Sequence, residues 1–120
     1  MAANEASAAE SVRRLANAEI SYASIHIETG FTCSLADLSR VQLIPRELGS
    51  GNSHGYTFEL TNCTSDPAGG AITKFQVLAY PQRPNQSGRR AFCSDESQVI
   101  RVDAGGSAQN CLENGTPLSQ

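Results

Sequence analysis

Between residues 2 and 28 the chain has neither glycine nor proline, and apolar side chains return at steps of three and four. Val12, Ala16, Ile20, Ala23 and Ile27 follow that spacing, with Leu15 beside them. On a helix such residues form one stripe. Glu5, Glu10, Arg13, Arg14, Asn17, Glu19 and Ser21 fall mostly off it. Alanine, the strongest helix former because it loses no side-chain entropy, is abundant throughout. Gly30 is a stop signal. Only from Val12 onward does the stripe carry Val, Leu and Ile; the earlier turns are rich in Ala and Ser, which suit close approach to another helix better than burial in a deep core. The pattern predicts an N-terminal amphipathic helix within 1–29 that packs on a sheet through Val12, Leu15, Ala16, Ile20 and Ala23.

After Gly30 the helical period stops. Phe31 and Cys33 lead into SLADLSR, where Ser34 is placed to cap a short helical turn over Leu35 to Leu38. VQLIPRELGSGNSHG reads as a loop from its Pro, Gly, Asn and Ser. From residue 56 the period is two. YTFELT sets Tyr56, Phe58 and Leu60 against Thr57, Glu59 and Thr61. DPAGG is a turn signal. AITKFQVLAY sets Ile72, Lys74 and Gln76 against Phe75, Val77 and Ala79. PQRPNQSGRR, polar with two prolines, is a loop or wide hairpin connection. AFCSD and QVIRVD are short strands, AGG a turn, and SAQNCLENGTPLSQ an irregular tail.

These elements predict one α+β domain: the helix (1–29), a connecting loop region (30–55), an antiparallel sheet of about four strands (56–103) and a tethered tail (104–120). Such a sheet has a face to bury, and the N-terminal helix is the only long element available to cover it. There are no internal repeats.

Composition narrows the function classes. A length of 120 residues fits a single domain. A net charge of −3 gives no reason to expect nucleic acid or an anionic membrane as the main partner. No run of 18 or more apolar residues is present, and no signal-peptide pattern either. Cys33, Cys63, Cys93 and Cys111 form no C-x-x-C and lie at no zinc-ligand spacing with a His, which favours disulfides. Three pairings are possible, and Cys33–Cys63 with Cys93–Cys111 is the most economical, each closing one loop. Disulfides place the protein outside the cytosol, so the absence of an export signal suggests a chain cut from something longer.

The order of these pieces resembles the globular part of bacterial type IV pilins and the related pseudopilins of type II secretion. The residues that carry the resemblance are the Ala-rich helix MAANEASAAESVRRLANAEISYAS, the GF-C-SLADL segment, the strands GYTFELT and ITKFQVLAYP, and the pair AFCSDESQVIRVD followed by Cys111. It covers essentially the whole chain. It implies a structural, non-enzymatic filament subunit of a pilus or pseudopilus. Its partners would be other subunits, the pilus or secretion assembly machinery and, through the exposed head, a host surface in adhesion. It also implies an inner-membrane anchor before assembly and a place on an extracellular, cell-surface filament afterwards. Family members carry about twenty further apolar residues ahead of the ANEAS stretch. Without that half-helix the fragment is expected neither to insert in a membrane nor to assemble. The family's near-N-terminal assembly glutamate has no counterpart, and Glu5 does not take its role. The resemblance gives the Cys93–Cys111 loop an exposed, adhesion-shaping role; the plainer reading is a staple on the tail. A stand-alone secreted binding or adhesion module is the alternative to the filament subunit, and a small secreted enzyme a more distant one.

Other candidates are weaker. Asp95, Glu96 and Asp103 are carboxylates near the last strand pair, the hard ligands calcium requires, but without a dense D-x-D run they read as solvated acids and no metal or cofactor is expected. Arg83, Arg89 and Arg90 make a small basic patch that reads as a solvated hairpin tip rather than a nucleic-acid contact. His26 and His54 are isolated. No catalytic motif is present. Three glycosylation sequons begin at Asn62, Asn85 and Asn114, and mean little in a bacterial protein.

Overall fold

The expected helix is present: α1 spans Ala2–Ile25. The structure, a computed structural model, describes residues 2–65, 67–68 and 70–118. After α1 come two short helices, α2 (Leu35–Arg40) and α3 (Arg46–Gly49). Among the described residues six strands and one more helix follow, in the order β1 (Asn52–Ser53), β2 (Tyr56–Ser65), β3 (Ile72–Pro81), β4 (Ala91–Asp95), β5 (Arg101–Asp103), α4 (Ala108–Asn114) and β6 (Thr116–Pro117). The strands form one antiparallel meander in chain order, β1 to β6. The fold is α+β, with α1 packed on the sheet.

Six strands replace the expected four because a two-residue strand is added at each edge. Neither has enough residues to show a period. The region 30–55 is likewise not all loop. Ser34 caps α2 as expected, accepting from the Asp37 amide at 3.3 Å, but α3 follows Pro45 inside the stretch read as loop. Pro45 supplies the extended residue before a helical turn, and Leu48 then reaches the core. The tail is not irregular either: Ser107 caps α4, accepting from Asn110 N at 3.1 Å.

The core lies between α1 and the sheet. Its largest fully buried apolar side chains include Leu15, Val12, Leu38, Tyr56, Phe75, Val77 and Phe92. In β3 the alternation reads as expected, with Phe75, Val77 and Ala79 inside. In β4 the residues Ala91 to Ser94 are buried on both faces, because α1 covers one side and α4 the other. Phe31 meets Phe75 edge-on, with ring centroids 4.7 Å apart.

The buried stripe of α1 is rotated from its expected position. Ala8, Val12, Leu15, Ala16, Ala18 and Glu19 are buried, whereas Ile20 is 38 % exposed and Ile27, beyond the helix, is 79 % exposed. At about 100° per residue those six span an arc of roughly 160°, and Ile20 lies about 120° from its midpoint. Ala23 is half-buried. Val12, Leu15 and Ala16 thus pack as expected; Ile20 does not, and Glu19, assigned to the polar side, goes inside. Small residues are the physical reason. Ala8 and Ala18 bury well but weigh little in a stripe drawn through Val and Ile.

Both disulfides take the economical pairing, Cys33–Cys63 and Cys93–Cys111. The first needs a bulge. The β2–β3 register shifts between Thr61 and Thr64, and Asn62 takes a left-handed φ of 50°, which asparagine tolerates. Gly30 and Gly88 are two of the glycines that close contacts require. Gly30 has φ +72°, and a Cβ there would lie 2.3 Å from the Ile72 carbonyl oxygen. A Cβ on Gly88 would lie 2.2 Å from the Tyr56 hydroxyl oxygen, which itself donates to the Arg90 carbonyl at 2.6 Å.

Candidate functional site

The features that organise the molecule sit along the seam between α1 and the sheet, one at each end. At the N-terminal end Glu5 accepts three hydrogen bonds from the β3–β4 connection. They come from the Arg89 amide (2.8 Å), the Arg90 amide (3.2 Å) and Arg90 Nε (3.0 Å). Asn4 adds a fourth bond, donating from Nδ2 to the Ser87 carbonyl at 3.0 Å. Burial works to raise the Glu5 pKa, but the two amides and the guanidinium outweigh it and hold the carboxyl below its ordinary value. The Arg90 guanidinium also lies over the Phe92 ring, 5.2 Å from its centroid.

At the other end Glu19 is fully buried. Its Oε1 accepts from the Thr32 amide at 2.9 Å; its Oε2 is buried with no hydrogen-bond partner. Burial pushes its pKa up to about 7, and the single amide bond only partly opposes this. The Thr32 amide faces the helix because its neighbours are fixed. Phe31 N donates to the Ile72 carbonyl and Ile72 N to the Thr29 carbonyl, both at 3.0 Å. Thr32 Oγ1 then donates to Asp37 Oδ2 at 2.8 Å, and Asp37 pairs with Arg40 at 2.9 Å. On the outer side of this segment lies an open cleft of about 440 Å³ whose lining includes Tyr22, Phe31, Thr32, Cys33, Asp37 and Ile72.

The three candidate calcium ligands are engaged separately. Asp95 Oδ1 accepts from the Ser97 amide (2.9 Å) and hydroxyl (2.6 Å). Glu96 Oε1 accepts from Phe75 N at 3.3 Å. Asp103 takes the Ser107 amide (2.8 Å) and Asn110 Nδ2 (2.5 Å), and these bonds, the Ser107 amide foremost, hold its pKa below the ordinary value. Among the described residues no three His, Cys, Asp or Glu side chains are grouped to hold a metal ion. The arginine patch is also divided: Arg83 and Arg89 are exposed, but Arg90 turns inward to Glu5. Cys111 sits at the start of the second turn of α4, fully buried, so the second disulfide ties α4 to the sheet rather than leaving a free loop.

His26 stacks on Tyr22, with ring centroids 4.1 Å apart. His54 is not isolated. Its Nδ1 meets Ser53 Oγ at 2.9 Å, and that hydroxyl donates to Glu47 Oε2 at 2.7 Å. The set contains Ser, His and a carboxylate but not the order nucleophilic catalysis uses. There the carboxylate orients the far nitrogen of the imidazole, and the imidazole takes the serine proton. Here the serine proton goes to the carboxylate. The three residues fix the β1–β2 turn, where His54 itself has φ 51°. The adjacency of Ser53 and His54 was readable in the sequence; the approach of Glu47 depends on α3.

No helix among the described residues is long and apolar enough to cross a membrane. No protein-family model, curated protein or solved structure matches the chain.

Proposed function

We propose that this chain is the head domain of a filament subunit of the type IV pilin or pseudopilin kind, working structurally outside the cytosol. The observation that carries the reading is how α1 is mounted. Its 24 residues lie along the sheet, and its first turn is fixed by the bonds of Asn4 and Glu5 to the β3–β4 connection. A helix arriving from upstream would therefore enter the head in one direction, as subunits that pack through a shared helical core require. The tail pinned by Cys93–Cys111 and the two disulfides suit a domain exposed outside the cell. Subunits would associate through the upstream apolar continuation of α1, leaving the opposite side of the sheet on the filament surface.

The test is the N-terminal sequence and intact mass of the native protein from its own cells. About twenty apolar residues ahead of Met1 establish the filament reading. A native N-terminus at Met1 removes it, leaving a secreted binding module.

A further inference from the structure

Glu19 is a buried ionisable group that has no part in the filament reading. It is fully enclosed, holds a single hydrogen bond to the Thr32 amide, and leaves its second oxygen unpartnered. That bond joins the C-terminal half of α1 to Thr32, whose neighbours are held independently by the backbone pairs at Ile72, by Phe31 against Phe75, by Cys33–Cys63 and by α2. A neutral carboxyl is tolerated in such a place at the cost of one unsatisfied polar atom. A carboxylate there has its charge out of water with one donor to support it, which costs far more.

We propose that the Glu19–Thr32 contact is a pH-operated latch: neutral Glu19 holds Thr32 against α1, and loss of its proton releases Thr32. The release is a local opening rather than global unfolding, because Cys33–Cys63 and the core around Phe75 remain. The proton leaves to solvent, and the freed carboxylate is hydrated once Thr32 lifts. On α1 the residues one turn from Glu19 are Leu15, Ala16, Tyr22 and Ala23, and Tyr22 is the titratable one. The titratable and charged groups on the packed elements are Tyr56 and Glu59 on β2, Lys74 and Tyr80 on β3, Asp95 on β4, and Asp37 with Arg40 on α2. None of these supplies a counter-charge: the balance at Glu19 is burial against one amide. The Asp37 carboxylate meets the latch through the Thr32 hydroxyl, which donates to it at 2.8 Å. The latch belongs to this domain alone and stands whether or not the filament reading does.

The experiment is amide hydrogen exchange of Thr32 at pH 5.5 and 8.5, corrected for intrinsic exchange, alongside a ¹³C titration of the Glu19 carboxyl in the same protein. A group titrating at about 7 when closed, and near 4.5 when open, predicts a loss of Thr32 protection of about thirtyfold between the two pH values. In Glu19→Gln the protection is expected to be independent of pH. A Glu19 carboxyl that titrates in the ordinary range overturns the proposal. So does Thr32 protection that does not fall as Glu19 ionises. Both can be read on the wild-type chain, so the test does not depend on the variant folding.

Discussion

Glu5 and Glu19 are the same residue on the same helix, about 21 Å apart along its axis, and they are driven in opposite directions. Glu5 is mostly covered, yet meets three donors, one of them charged, and stays ionised more readily than a free glutamate. Glu19 is fully covered, meets one donor, and resists ionisation. Burial acts on both; the number of donors decides the sign. The two ends of the seam therefore depend on pH oppositely. The folded pKa of Glu5 is lowered, so its contribution is present above the unfolded value near 4.5 and is lost as pH falls through the folded value. The folded pKa of Glu19 is raised, so its contribution is complete below about 4.5 and is lost as pH rises through about 7.

The strongest disturbance of this contrast is removal of the first disulfide. Cys33→Ser with Cys63→Ser opens a loop spanning 30 residues and is expected to cost roughly 3–4 kcal/mol in urea denaturation. Because Cys33 follows Thr32, the Glu19 carboxyl should then titrate closer to its ordinary value while Glu5 is unaffected. Equal shifts at both would mean that the ends are not independent.

Next in size is the pH dependence itself. Relative to Glu19→Gln, the wild-type chain should lose up to about 3 kcal/mol of stability between pH 4.5 and 8. A parallel pair of curves would show that Glu19 ionises freely in the folded state.

Glu5→Ala should cost roughly 1–2 kcal/mol at pH 7, since it leaves the Arg89 and Arg90 amides to water at a partly covered site. The loss should shrink in acid, as pH falls from 4.5 through the lowered folded value of wild-type Glu5. A cost that persists unchanged in acid would assign the effect to packing rather than charge.

The smallest effect is expected at Ile20. Ile20→Ala should change thermal stability by less than about 0.5 kcal/mol, whereas Leu15→Ala, fully buried one turn and a half earlier, should cost about 2–5 kcal/mol. Comparable losses at the two would restore the stripe as drawn from the sequence.

Much of the architecture was legible from the chain, because it depends on local preference and simple periodicity. The Gly- and Pro-free, Ala-rich start dictates a helix whatever it packs against. The alternation around Phe75, Val77 and Ala79 dictates a strand with one inward face. The Ser34 cap and the economical cysteine pairing are similarly local or nearly so. The short edge strands, α3 and α4 were not legible, since a run of two to seven residues carries too little period and takes its state from what it docks against.

The rotation of α1 and the fates of its two glutamates were decided by tertiary structure alone. Nothing near Glu5 in sequence provides a donor; Arg89 and Arg90 arrive from more than 80 positions away, when the β3–β4 connection folds over the helix end. Nothing near Glu19 marks it for burial; it is enclosed because Gly30 lets the chain turn back and pair with Ile72, setting Thr32 over the helix. Sequence determines where a helix forms and roughly which face is apolar. The charge a carboxylate keeps depends on donors and solvent, and those are set only when distant segments meet.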